Sequence, residues 1–349
     1  MLEFLKNHTN LGISALRRAA KCSAIGVDMA DDAVKIAQLM ADEKTIKLVA
    51  GGSKNRPMSI EPSSADWQRW AIQALGELTT KVQFRSREII AAMPAREVFI
   101  EHAKMPKVKD EPGKVKRPSW APERKLEDAI FAKVKQKLPF GPHDAVIRYI
   151  PTEEDNVLVM AVEREIVDRH LAIYENTDLQ VKSIAIWPTA LVTTYTGFFG
   201  RRKSDIAAVV MLIDIDGDST NVVICRHKNL LFARSIPIGV KQLSKAVEPD
   251  RSYVHVRNEE MVTRLVLELT ACKRQFYSIY GNAQIERLIF LSGRFVDRVI
   301  YETIAKQLEM PAQMGNCLAA VEIDDPCSVG IDRRECKLNW STAFGLSLS

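Results

Sequence analysis

Val209-Val210-Met211-Leu212-Ile213-Asp214-Ile215-Asp216-Gly217-Asp218-Ser219-Thr220-Asn221-Val222-Val223-Ile224 decides the reading of this chain. An apolar run ends in an acidic turn with one glycine, and a second run rich in Val and Ile follows at once. That pattern predicts two hairpin-joined strands with the turn exposed at the strand ends. Asp214 closes the first strand, Gly217 sits in the turn, and Ser219 and Thr220 supply hydroxyls. Carboxylate oxygens suit Mg²⁺, and turn amides with hydroxyls suit phosphate oxygens. Seen alone, such a turn is also an ordinary polar hairpin tip.

The pattern occurs twice. Ala24-Ile25-Gly26-Val27-Asp28-Met29-Ala30-Asp31-Asp32-Ala33-Val34-Lys35-Ile36-Ala37 again runs from an apolar strand through Asp and an acidic turn into a second strand. A third turn, Leu288-Ile289-Phe290-Leu291-Ser292-Gly293-Arg294, leads from a strand toward a helix, whose N-terminus would attract an anion. Duplicated Asp hairpins with a late strand–Gly–helix turn resemble the actin/Hsp70/sugar-kinase nucleotide-binding fold. Leu231-Phe232-Ala233-Arg234-Ser235-Ile236-Pro237-Ile238-Gly239 narrows the resemblance. This F-x-R-x-I-P-I-G strand is similar to that of the type IV pilus assembly family PilM, on the FtsA branch of that superfamily. The similarity runs in order from about residue 23 to the C-terminus. Order and spacing carry it more than any one motif.

Composition bounds the rest. A chain of 349 residues can bury two full cores. Hydrophobic content of 46% and charged content of 27% are those of an ordinary globular protein. No apolar run approaches the roughly 20 residues of a membrane span, and the opening residues lack the pattern of a signal peptide. A net charge of +5 is mild and argues against nucleic acid as the main partner. Six scattered cysteines, without a C-x-x-C pair, read as free thiols in a reducing cytoplasm. Cys317, Cys327 and Cys336 are too loosely spaced for zinc.

Taken in order, residues 1–21 form a basic tail with Leu2, Phe4, Leu5, Ile13 and Leu16 among Lys6, Arg17, Arg18 and Lys21. It is either a surface tail or an anionic-membrane contact. Residues 22–97 form a first actin-like domain, with 184–203 and 339–349 packing back on it. Its helix is capped by Ser63 or Ser64 and carries Trp67, Ala71, Leu75, Leu78 and Val82. Residues 98–183 read as a separate module of order strand–helix–strand–strand–helix–strand. The final strand is 181–186, and a basic loop spans Lys104 to Lys125. Residues 204–338 form the second actin-like domain. There a short helix follows Gly239 as far as Val247, a long helix spans 259–280, a helix starts at Phe295, and 312–338 is irregular.

The resemblance implies an α/β, two-domain, duplicated ribonuclease H-like fold with an inserted subdomain of the FtsA (SHS2) type. It implies a site for ATP and Mg²⁺, with Asp28 and Asp214 holding the metal and Gly217, Ser219, Thr220, Gly239 and Gly293 around the nucleotide. It implies, as partner, the N-terminal cytoplasmic tail of a bitopic inner-membrane pilus or secretion protein of the PilN kind. The tail would be held in a cleft near 98–106 and 145–163, with the protein in the cytoplasm at the inner membrane.

The loops depart from their relatives in one direction. Where the family reads D-I-G-S-S, this chain has Asp28-Met29-Ala30-Asp31-Asp32. Where the family reads D-I-G-A-G-S-T, it has Asp214-Ile215-Asp216-Gly217-Asp218-Ser219-Thr220. Glycines allow backbone amides to approach phosphate, whereas Asp31, Asp32, Asp216 and Asp218 would face a polyanion. The expectation is an adaptor whose nucleotide site is weakened or lost. The alternatives are an active Mg–ATP ATPase, or a sugar or acyl kinase of the same superfamily, or a filament-forming relative.

Overall fold

The first Asp hairpin pairs β1 (Lys21–Met29) with β2 (Ala33–Ala41), setting Asp28 opposite Lys35. The computed structural model describes residues 21–30, 32–42, 45–104, 121–247, 254–292, 296–323, 330–331 and 338–349. The tail 1–20, Asp31, most of the basic loop, Gly293 and Phe295, Cys327 and Cys336 fall outside them.

β3 (Ile46–Asn55) continues the meander. Helix α1 (Ala65–Lys81) then starts where the Ser64 hydroxyl accepts from the Trp67 amide, and returns the chain to β4 (Glu88–Met93), parallel to β1. The insert follows: β5 (Phe99–Lys104), α2 (Ala121–Val134), β6 (Ala145–Pro151), β7 (Asn156–Glu163) and α3 (Arg164–Glu175). Helix α2 takes in the last five residues of the expected basic loop. β8 (Gln180–Ile186) pairs with β4 in the first sheet. It therefore does not complete the insert as its sequence position suggested, and the insert's own sheet has three strands, ordered β5-β7-β6. Pro188 opens α4 (Trp187–Thr194), which crosses to the second lobe.

The second lobe repeats the first. β9 (Val209–Ile215), β10 (Thr220–Arg226) and β11 (Asn229–Ile236) form the meander. After them come α5 (Val240–Leu243), the hairpin β12 (Ser244–Val247) and β13 (Val254–Arg257), and α6 (Glu259–Ile279). The helix expected to reach Val247 thus stops at Leu243. β14 (Ile285–Phe290) is parallel to β9, and α7 (Arg298–Leu308) leads to β15 (Ala312–Met314). The segment expected to be irregular holds β15 and α8 (Cys317–Ala320), before the terminal helix α9 (Ser341–Ser347). The two five-stranded sheets, β3-β2-β1-β4-β8 and β11-β10-β9-β14-β15, share one topology, each a three-strand meander with two parallel strands added.

Close approach, rather than a turn, fixes two glycines. A Cβ on Gly26 of β1 would lie 2.0 Å from the Ala343 carbonyl of α9, and one on Gly345 would lie 2.0 Å from the Ala190 carbonyl of α4. Helix α9 is thereby wedged between β1 and α4. Ser347 at its end donates to the Ala24 carbonyl and accepts from the Leu39 amide.

The insert is welded to both lobes. Leu158, Met160 and Val162 of β7 share one core with Trp187 and Leu191 of α4 and with Leu212, Val223 and Ala233 of the second sheet. At about 1.5–3 kcal/mol per fully buried side chain, this face alone resists separation strongly. β7's other face lies under Ile130 and Val134 of α2. His102 of β5 stacks on Phe232, and its Nε2 accepts from the Ala233 amide at 3.3 Å. Burial lowers this imidazole to about 4, so it is a neutral acceptor. The Tyr280 hydroxyl meets Thr152 at 2.7 Å and donates to the Leu231 carbonyl at 3.1 Å. Tyr280→Phe is expected to cost about 1 kcal/mol in urea denaturation, with unchanged slope. β6 is the outer strand on the remaining side, half-buried from Ala145 to Ile150.

Candidate functional site

The two Asp hairpins meet tip to tip. Asp28 and Met29 of the first lobe line one cavity with Asp216, Gly217, Asp218 and Ser219 of the second. The cavity measures about 30 Å³, space for about two water molecules. Asp32 of the first hairpin packs on Gly217 of the second, where a Cβ would lie 2.5 Å from its carboxylate.

Lys35 fills the middle. Its ammonium lies 2.8 Å from Asp28 Oδ2 and 3.7 Å from Asp216 Oδ1, and its side chain is 2% exposed. Burial alone would lower the Lys35 pKa, but Asp216, Asp28 and Asp32 together raise it above the ordinary lysine range. A buried cation thus joins a carboxylate of each lobe. Burial raises Asp216 well above the usual carboxylate range against the pull of Lys35, with Asp32, Asp28 and Asp214 adding to the rise.

Asp214 is fully buried. Oδ1 accepts from Asn339 Nδ2 at 2.8 Å, while Oδ2 has no hydrogen-bond partner. The Asn339 carbonyl oxygen is held in turn by the Ser341 amide and hydroxyl. Burial pushes Asp214 up to about 6, against Asn339 and Lys35. Asp28 acts on it electrostatically, so the two hairpin aspartates share one interior. Since the folded pKa lies above the unfolded value of about 4, ionised Asp214 costs stability above pH 6, and the cost is relieved as pH falls toward 4. Asp214→Asn should therefore gain about 3 kcal/mol at about pH 8 and little near pH 4, read by urea denaturation at both.

The Asp216 amide and two turn carbonyls are already used. The Asp216 amide donates to the Ser219 carbonyl, Val240 to Asp216 and Lys241 to Gly217. Gly239 allows this seat, because a Cβ there would lie 2.5 Å from both the Gly217 carbonyl and the Ser219 amide. Thr220 donates inward to the Ile238 carbonyl at 2.6 Å. Asp218 pairs with Lys241 at 2.6 Å and leans outward. Asp28, Asp214, Gly217, Ser219, Thr220 and Gly239 thus gather around the hairpin tips. Gly293 lies outside the described residues.

Sequence reading overlooked Lys35 and Asn339. Lys35 had a signal: it is the one cation in an apolar run on a strand buried on both faces. Asn339 had none, since only the return of α9 brings it to Asp214.

The residues fit an implied metal in part, because Asp214 Oδ2 is an orphaned buried acceptor. They do not fit the polyphosphate of a nucleotide. The cavity is far below the roughly 300 Å³ of small-ligand sites, the Asp216 amide is occupied, and Asp32 and Asp216 stand where anions would go.

Comparison with known proteins agrees with this architecture. The family described as type IV pilus assembly protein PilM matches residues 26–264. The chain belongs to the PilM family. The PilM–PilN type IV pilus biogenesis complex contains a chain of the same fold, at TM-score 0.71 and 19% identity, covering 93% of this chain and 98% of that one. EutJ of Carboxydothermus hydrogenoformans aligns at TM-score 0.49 and 13% identity over 95% of this chain and 90% of its own. The cytoplasmic domain of EpsL, an inner-membrane component of the Vibrio cholerae type II secretion system, aligns at 0.45 and 12% over 77% and 82%. No curated protein matches the sequence significantly. The fold is actin-like, and this PilM-family chain carries its duplicated sheets with a three-stranded insert.

Proposed function

We propose that this PilM-family protein is a cytoplasmic adaptor of a type IV pilus or type II secretion-like assembly, not a working ATPase. Its partner is the N-terminal tail of a bitopic, PilN-like inner-membrane protein, which brings the chain to the inner face of that membrane. The observation that carries the adaptor reading is the cleft filled by its own Lys35, Asp28 and Asp216. Family membership supports the partner class, and ATP with Mg²⁺ remains the ancestral ligand pair of such a cleft. Among the described residues no helix is long and apolar enough to cross a membrane. β6 suits a tail bound in extended form, because it is an outer strand whose edge offers backbone hydrogen bonds to an added strand.

The test is affinity capture of the intact chain from detergent-solubilised membranes. A bitopic protein should be enriched, and a synthetic peptide of its N-terminal tail should then bind in saturable titration. Recovery of no bitopic protein, or a captured protein whose tail peptide does not bind, would refute the reading. A kinase would give that negative result.

A further inference from the structure

We propose that the turn joining the two lobes is a contact surface for anionic lipid headgroups. Residues 200–206 read Gly-Arg-Arg-Lys-Ser-Asp-Ile, and the sequence alone marks their first five as a linker. In the fold they form a pinned turn. The Gly200 amide donates to the Tyr195 carbonyl at 2.8 Å, and the Asp205 amide to the Arg202 carbonyl at 2.9 Å. The Asp205 carboxylate accepts from the Arg202 amide at 2.9 Å and from Arg287 at 2.6 Å. The one acid of the turn is therefore buried and neutralised, while Arg201, Arg202 and Lys203 are all exposed.

Two neighbours extend the patch. The His227 ring bonds the Gly200 backbone, which brings the exposed Lys228 alongside. Ile206 follows the cations and is 56% exposed. Against these four cations stand Glu286, exposed on β14, and Glu322, which lines one cavity with Arg201, while Glu153 of the β6–β7 turn is held by Arg226.

The patch lies at the end of the second sheet away from the cleft. Arg226 pairs with Val209 at this end and Thr220 with Ile215 at the other, about 20 Å along β9. Thr45, Ile46 and Arg201 line one cavity, Ile46 pairs with Ala41, and Ala41 with Lys21. Lys21, the first described residue, thus lies at this same end.

Exposed cations beside an exposed aliphatic side chain are the pattern of an interfacial membrane contact. An acidic peptide bound in extended form would need a strand edge, which residues 201–206 do not present. Each cation near an anionic membrane is worth about 1 kcal/mol, or about fivefold in partition. This surface deepens the peripheral-membrane reading above but does not depend on the partner tail. Vesicles contain no protein, so the two readings fail separately.

The test is co-sedimentation of the intact chain with vesicles of phosphatidylcholine, with and without phosphatidylglycerol. Binding should require phosphatidylglycerol and weaken with salt. Arg202→Gln with Lys203→Gln should lower partition about 25-fold at unchanged melting temperature. Ile206→Ser should lower it further, and Lys135→Gln with Lys306→Gln, exposed cations elsewhere, should leave it unchanged. Equal losses in both charge pairs, no loss in the turn variant, or binding to soluble polyglutamate but not to vesicles would overturn the proposal.

Discussion

Lys35→Met is expected to destabilise the chain by about 3–5 kcal/mol at neutral pH, because it leaves Asp28 and Asp216 buried without their cation. Methionine nearly preserves the volume, so packing contributes little to this loss. The carboxylates are 10% and 15% exposed and hold the ammonium at 2.8 and 3.7 Å. The deficit should shrink as pH falls, because unpaired buried carboxylates take up protons. Adding Asp216→Asn to Lys35→Met should recover part of the loss. Urea denaturation at two pH values, on the single and double variants, separates the outcomes. A loss that ignores pH and is not recovered in the double variant would mean that Lys35 acts through packing, not as an ionic bolt between lobes.

Asp216→Gly is expected to raise affinity for Mg–ATP by at most about a thousandfold over the unaltered chain. One unlike or like charge pair at about 4 Å is worth about 4 kcal/mol at an effective dielectric of 20, which is about three decades in binding. The substitution removes the acid from the tip and frees one side of Lys35. Asp218→Gly should do much less, since Asp218 is already neutralised by Lys241 and leans to solvent. Isothermal titration should show no binding to the unaltered chain at about millimolar Mg–ATP. Micromolar binding by the unaltered chain would refute the closed-cleft reading and restore the ATPase alternative. Unchanged, weak binding by Asp216→Gly would show that lost glycines and the narrow cleft, not charge, close the site.

The parts of the fold that were legible are those written locally. The two Asp hairpins announce themselves by apolar runs broken at an acid, and the Trp67–Leu78 stripe by its helical period. The boundaries that went astray had local signals that tertiary contacts overrode. Val181–Ile186 follows the insert in sequence, yet pairs with β4 because that edge of the first sheet is open to it. The 312–314 segment lacks a strand pattern, with three exposed residues, and becomes a strand because β14 offers a parallel edge. At the site, the sequence named the aspartates and glycines but treated the acids as independent charges facing a ligand. Their roles diverge in the fold: Asp216 turns in to Lys35, Asp218 turns out to Lys241, and Asp214 keeps one oxygen unpartnered.

By itself the sequence determined the duplication, the order of elements and the chemistry at each hairpin tip, because strand alternation and turn composition act over a few residues. Only the tertiary structure decided that the tips meet, that Lys35 lies between them, that Asn339 reaches Asp214, and that the insert shares a core with both lobes. Those outcomes depend on burial and on charges brought together from distant parts of the chain. Neither the desolvation of Asp214 nor the pairing of Lys35 exists until the lobes close around them.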